Sequence, residues 1–201
     1  VLRVDGVHLR SGKKEEWRNG VIRSSIKKSH GVVFQSEWSR ETVCKKLGVE
    51  PPRSWVIHNG DVPGTKHTRR VRSVNNVLMV ANWGGKRERK DKRLQWHLDV
   101  ANELRVHPHV HFWLVGQTPR KIEHTANMTV VGHKDAKWLR EAYQTSDVLL
   151  YLAHPDWCPN TVVEALCNGL WVVGVAGSGV QELVARGGGT VCATHKEAPA
   201  A

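Results

Sequence analysis

Asp147-Val148-Leu149-Leu150-Tyr151-Leu152 is followed by the turn-rich His154-Pro155-Asp156-Trp157-Cys158-Pro159-Asn160, by Thr161 to Cys167, and by Leu170-Trp171-Val172-Val173-Gly174-Val175. An apolar run, a loop, a helix-like segment and a second apolar run at this spacing form a βαβ unit, the building block of a parallel sheet covered by helices. The longest apolar run, Val148 to Ala153, is far below the roughly 18 residues of a membrane-spanning helix.

The same alternation extends in both directions. Upstream lie a strand pattern at Asn76 to Ala81 and a helix pattern at Leu94 to Leu104, with Leu94, Leu98, Ala101 and Leu104 on one face. Strand patterns follow at His111 to Gly116 and Met128 to Val131, and a helix pattern at Trp138 to Tyr143. Downstream, Val180 to Val184 reads as a helix and Thr190 to Ala193 as a sixth strand. The fold class is α/β, with a doubly wound parallel-sheet domain over residues 75–201.

Residues 1–64 predict a thinner Rossmann-like portion. Val1 to Val4, Val32 to Phe34 and Trp55 to Ile57 read as strands; Val21 to Lys28 and Glu37 to Leu47 read as helices, the second with Ser36 as N-cap. The turn-rich Asn59 to Gly64 ends this portion, and residues 65–74 read as a polar, basic linker. A chain opening inside a strand without methionine is expected to be part of a longer protein.

The chain has 201 residues, 40% hydrophobic and 24% charged, which is ordinary globular usage. Its net charge of +11 is uneven: residues 1–100 carry 22 Lys and Arg against 10 Asp and Glu, and residues 101–201 carry 8 against 9. A basic half attracts nucleic acid, anionic lipid or a phosphorylated small molecule, or simply stays solvated. Cys44, Cys158, Cys167 and Cys192 form no C-x-x-C pair, so the expected setting is a reducing cytoplasm. The alternate His107, His109 and His111 lack a matching Cys, Asp or Glu cluster, and no metal is expected. Trp96, Trp113 and Trp171 sit in apolar patterns and are expected in the core. Gly174 to Gly179 resembles a dinucleotide turn but has no acid about 20 residues on.

In an open parallel sheet the ligand sits beyond the carboxyl ends of the strands. There, the amides of Thr161, Val162 and Val163 at a helix start suit a diphosphate, Asp156 suits hydroxyls, and Glu164 suits a ribose. Each acid also has a local reading. Thr161-Val162-Val163-Glu164 matches a capping box, and Asp156 beside Pro155 matches a turn acid.

The run Asp156 to Glu164, with Ala-Leu-Cys-Asn-Gly-Leu-Trp-Val-Val after it, resembles the E-x(7)-E signature of the retaining glycosyltransferases of family 4, which have the two-domain GT-B fold. Further family-like elements occur in order: Val56 to Asp61, Phe112 to Gly116, Val130 to His133 with Leu139 to Tyr143, and Gly177 to Val184. The resemblance implies that Glu164 holds the donor ribose and that the backbone at Asn160, Thr161 and Val162 meets the diphosphate. Asp156 stands for the first glutamate, against the transferred sugar. Gly116 flanks the nucleotide, and Gly132 and His133 flank the base. Lys92 matches the family lysine, while Asn82 stands where an arginine is usual, with Arg87 as the substitute. Asp5 occupies the place of a cleft-facing histidine at the end of the first strand.

The resemblance thus implies transfer from a nucleoside diphosphate sugar with retention and without a metal or other cofactor. The expected partners are that donor, a glycan or lipid-linked acceptor and, peripherally, an anionic membrane face, with no specific nucleic acid. The alternatives are a non-catalytic nucleotide- or sugar-binding remnant and a basic nucleic-acid-binding protein.

Overall fold

A computed structural model describes residues 1–63, 73–85, 87–185 and 187–201. The expected linker at 65–74 lies mostly outside the described residues. Two units divide the chain, Val1–Asn59 and Gly60–Ala201.

The first unit contains β1 (Leu2–Val4), α1 (Lys13–Lys28), β2 (Val32–Phe34), α2 (Glu37–Leu47) and β3 (Ser54–Val56). Its sheet is parallel, in the order β1-β2-β3. Ile26, Val32, Phe34 and Val43 are completely buried and form its core. Ser36 caps α2 as expected, its hydroxyl accepting the Ser39 N–H at 2.9 Å, and Gly48 ends the helix in the left-handed region at φ 57°. α1 starts at Lys13, two turns before the apolar pattern does. Those turns are anchored by Asn19, whose amide donates to the His8 carbonyl at 2.8 Å and accepts the His8 N–H at 3.0 Å.

The second unit runs β4 (Asn75–Val80), α3 (Leu94–Glu103), β5 (Val110–Val115), β6 (Met128–Gly132), α4 (Ala136–Thr145), β7 (Val148–Tyr151), α5 (Asn160–Cys167), β8 (Trp171–Val175), α6 (Val180–Val184) and β9 (Gly189–Cys192). All pairings in its six-stranded sheet are parallel, in the order β6-β5-β4-β7-β8-β9. The order reverses between β4 and β7, which makes the carboxyl end of this pair the topological switch point.

Alternation along each strand sends side chains to opposite layers. Val77, Met79, Phe112 and Leu114 pack with Leu94, Val100 and Ala101 of α3. Leu78, Val80, Leu149 and Val172 pack under α4, α5 and α6 through Ala142, Tyr143, Val162, Ala165 and Val180. Each fully buried aliphatic side chain contributes about 1.5–3 kcal/mol.

Two of the three tryptophans expected inside, Trp96 and Trp113, are partly buried against these layers. The third is a correction: Trp171 is 45% exposed, at the start of β8, and its indole N–H donates to the Thr190 hydroxyl.

Candidate functional site

The loops that leave β4 and β7 meet at the switch point. The His154 N–H donates to the Asp91 carbonyl at 2.8 Å, joining them through the main chain. Lys92 ends a single 3-10 turn, Lys90–Lys92, and Arg93 follows in the left-handed region at φ 51° before α3 begins. This turn carries the Lys92 ammonium to Asp156 Oδ2 at 2.9 Å. The Tyr151 hydroxyl donates to the same oxygen at 2.6 Å and accepts from Lys92 Nζ at 3.2 Å. With the Lys92 and Asp156 side chains 14% and 19% exposed, solvent screens this ion pair less than a surface pair.

Asp156, expected to point at hydroxyls, has one of its oxygens engaged as the counter-ion of Lys92. Oδ1 remains available as an acceptor. Lys92 likewise spends two of its three N–H donors on Asp156 and Tyr151 and keeps one.

α5 begins at Asn160, with Pro159 at the N-cap supplying no capping side chain. The Val162 and Val163 N–H groups both donate to the Pro159 carbonyl, at 3.0 and 3.2 Å. They are committed to the helix, and the Val162 side chain is wholly buried. This corrects the assignment of both amides to a diphosphate. The Thr161 amide has no main-chain acceptor among the described residues, and it stands with Asn160 at the positive end of the helix dipole.

The capping box is not formed. Thr161 lies inside α5, and Glu164 Oε2 accepts the Tyr143 hydroxyl from α4 at 2.7 Å. Burial first, and then the neighbouring Glu164 carboxylate, push the Tyr143 phenol far upward, so it remains a protonated donor. Tyr151 is shifted the same way by burial and by Asp156.

The loop between β8 and α6 closes a third side. The Gly179 N–H donates to the Asp156 carbonyl at 2.9 Å, and His154 Nε2–H donates to the Gly177 carbonyl at 2.8 Å. Burial holds the His154 imidazole below its usual range, so it is neutral near pH 7.

At the end of β5, Gly116 has φ 121°, and a Cβ placed there would lie 1.8 Å from the Ala81 carbonyl oxygen. Only glycine allows β4 and β5 to leave the sheet this closely. The Gly116 N–H donates to the Gly132 carbonyl at 2.8 Å, while Gly132 faces open space and His133 is exposed beside it. Arg87 is exposed in the loop after β4, where Gly84 pairs with Glu88.

Asp5 belongs to the first unit, just beyond β1. Its carboxylate is 75% exposed, pairs with Arg3 Nε at 2.9 Å and accepts from the Gln35 amide. Asn59 joins this group by accepting from Arg3 at 2.9 Å.

Tyr143, Tyr151 and His97 escaped the sequence reading. Each lies in an apolar pattern, where the only signal is a polar tip that needs a partner when buried. Among the described residues no group of three or more His, Cys, Asp or Glu side chains could hold a metal ion. His111 is instead hydrogen-bonded to Thr129, and His109 to the Ser73 carbonyl.

Residues 75–201 match the family model described as Glycosyl transferases group 1. The chain belongs to this family. Its α/β architecture with parallel sheets is that of solved GT-B glycosyltransferases. One is WaaG, described as a glycosyltransferase involved in lipopolysaccharide biosynthesis: 16% identity, TM-score 0.73, covering 99% of this chain and 64% of that one. Another is sucrose-phosphate synthase from Thermosynechococcus elongatus: 15% identity, TM-score 0.71, covering 94% and 54%. A third is Anabaena HepE, solved with UDP: 15% identity, TM-score 0.75, covering 99% and 60%. This group 1 chain thus spans less than two thirds of the length of these structures. Comparison with curated protein sequences finds no match. No helix among the described residues is long and apolar enough to cross a membrane.

Proposed function

We propose that residues 75–201 bind the donor of a glycosyl transfer, a nucleoside diphosphate sugar, and that a uridine nucleotide is the first candidate. The observation that carries this reading is the state of Glu164. It is freed from capping its own helix and held from α4 one turn inside the N-terminus of α5, at the carboxyl edge of the sheet. An acid in that place suits ribose hydroxyls. The choice of uridine is supported by structures of similar fold solved with UDP or with UDP-glucose.

In this reading the Thr161 amide, the α5 dipole and the remaining Lys92 donor take the diphosphate, and Asn160 lies beside it. Gly116, Gly132 and His133 border the nucleotide, and Arg87 adds positive charge from the loop. As the bond from anomeric carbon to diphosphate oxygen breaks, its electron pair stays with the diphosphate, whose growing charge fixed cations stabilise. Asp156 Oδ1 accepts a sugar hydroxyl. The acceptor oxygen then bonds to the anomeric carbon on the face the diphosphate left, which retains configuration, and its proton passes to the departing diphosphate oxygen. No metal or other cofactor enters these steps.

The acceptor is a glycan or lipid-linked hydroxyl, and Asp5 of the first unit is its candidate contact. Cytoplasmic, peripheral association with an anionic membrane belongs to the same proposal. α1 exposes Trp17 with Lys13, Lys14 and Arg18, and with Glu16 beside them, and is the surface offered for that contact.

Calorimetric titration with UDP, GDP, ADP and their sugar conjugates at two salt concentrations tests the donor reading. Saturable binding of one nucleotide, strengthened by its sugar and measurably weakened in Glu164→Gln, is expected. A folded chain that binds none of them overturns it, and binding of nucleic acid that collapses with salt would replace it.

A further inference from the structure

We propose that Tyr143 and Tyr151 are positioning residues of this site: each phenol fixes one oxygen of one acid and leaves the other oxygen to take a donor hydroxyl. The inference rests on the donor reading above and assigns roles to two residues outside the signature run.

Two independent pairs share one geometry. Tyr143 donates to Glu164 Oε2 at 2.7 Å, and Tyr151 donates to Asp156 Oδ2 at 2.6 Å. Each tyrosine is only 2% exposed, and both rings belong to the same core layer, under α4, α5 and α6. A ring gripped by packing has two side-chain torsions and little freedom, so its hydroxyl is a fixed point. The carboxylates are partly exposed and would otherwise sample several rotamers. Holding a ligand-binding acid in one orientation before the ligand arrives removes part of the ordering cost of binding.

The protonation states agree with this role. Burial and the adjacent carboxylate both disfavour the phenolate, so each tyrosine is a protonated donor near neutral pH. An ionised carboxylate only accepts, and the oxygen that the phenol does not engage keeps both its acceptor sites for a hydroxyl. Tyr151 also accepts from Lys92, so its hydroxyl sets the acid and the cation together.

A buried phenol needs a partner in any fold, and the test must separate that need from positioning. Tyr143→Phe and Tyr151→Phe delete one oxygen each and keep the ring. In calorimetric titrations of the full chain, Tyr143→Phe is expected to weaken UDP about five- to tenfold and to have no further effect in a Glu164→Gln background. Tyr151→Phe is expected to lose the affinity that UDP-glucose gains over UDP, because Asp156 serves the sugar. A purely structural tyrosine would lower the melting temperature and leave both differences unchanged. Phe variants that bind like the parent chain, or that weaken UDP equally with Glu164 replaced, overturn the positioning role while the donor reading stands. A folded parent chain that binds no nucleotide or nucleotide sugar overturns both. Should Tyr143→Phe not fold, the loss or persistence of the UDP-glucose increment in Tyr151→Phe decides alone.

Discussion

His97 in α3 accepts the main-chain N–H of Leu152 at 3.1 Å, and its other ring nitrogen donates to the Arg93 carbonyl at 3.0 Å. One neutral imidazole thus ties the start of α3 to the chain leaving β7, next to Lys92 and Asp156. Burial lowers its pKa from 6.5 to about 4. The unfolded chain therefore takes up a proton near pH 6.5 that the folded chain refuses until about pH 4. Stability from this group is complete above pH 6.5 and declines as the pH falls toward 4, by about 3 kcal/mol in total. Denaturant titrations between pH 7.5 and 4.5 should show a steeper loss in the parent chain than in His97→Gln. Equal slopes would remove His97 from the account.

Lys92 and Asp156 should behave as a coupled pair. Lys92→Met leaves a partly buried carboxylate and Asp156→Asn leaves a partly buried ammonium, each costing about 1–3 kcal/mol, whereas the double replacement should cost less than the sum. A double-mutant cycle by chemical unfolding measures the coupling. A coupling within about 0.3 kcal/mol of zero would show that the ion pair does not join these loops energetically.

Gly116 and Gly20 should respond oppositely to alanine. At Gly116 the new Cβ meets the Ala81 carbonyl at 1.8 Å with φ at 121°, and a loss of more than about 2 kcal/mol is expected. At Gly20, inside α1, no atom lies within 4 Å of the new Cβ, and a gain of about 0.5–1 kcal/mol is expected. Thermal unfolding followed by circular dichroism reads both signs, and a tolerated Gly116→Ala would refute the close approach of β4 and β5.

Ser36→Ala should lower the stability of the first unit by about 1 kcal/mol through loss of the α2 cap, and Ser36→Thr should retain most of it. Hydrogen exchange of the α2 amides reports this locally. Unchanged protection at Ser39 in the alanine variant would show that the hydroxyl contributes nothing there.

The strands were legible where apolar runs are short, bounded by turn formers and separated by helical periodicity: β4, β5, β7 and β8 all lie within a residue or two of their expected ends. α1 was legible only from Val21 onward. Lys13 to Gly20 has no apolar stripe, and its helical turns are held through Asn19 and the His8 backbone. Trp171 misled because an apolar pattern does not say where the sheet ends and solvent begins.

The candidate site divides the same way. Asp156, Glu164 and Lys92 were found because their types and positions follow strands, but their engagements were not. Glu164 and Tyr143 are 21 residues apart, Lys92 and Asp156 64 apart. A capping box is a local pattern, and it cannot register a phenol arriving from a neighbouring helix.

By itself, then, the sequence determined the kind and succession of elements, because propensity, periodicity and turn chemistry act over a few residues. Only the tertiary structure decided the strand order β6-β5-β4-β7-β8-β9, and with it the switch point where Lys92 meets Asp156. It also decided which oxygen of each acid is already taken. These outcomes depend on side chains far apart in sequence, brought together by burial of both faces of the sheet; once water is excluded there, each remaining polar tip must find a partner.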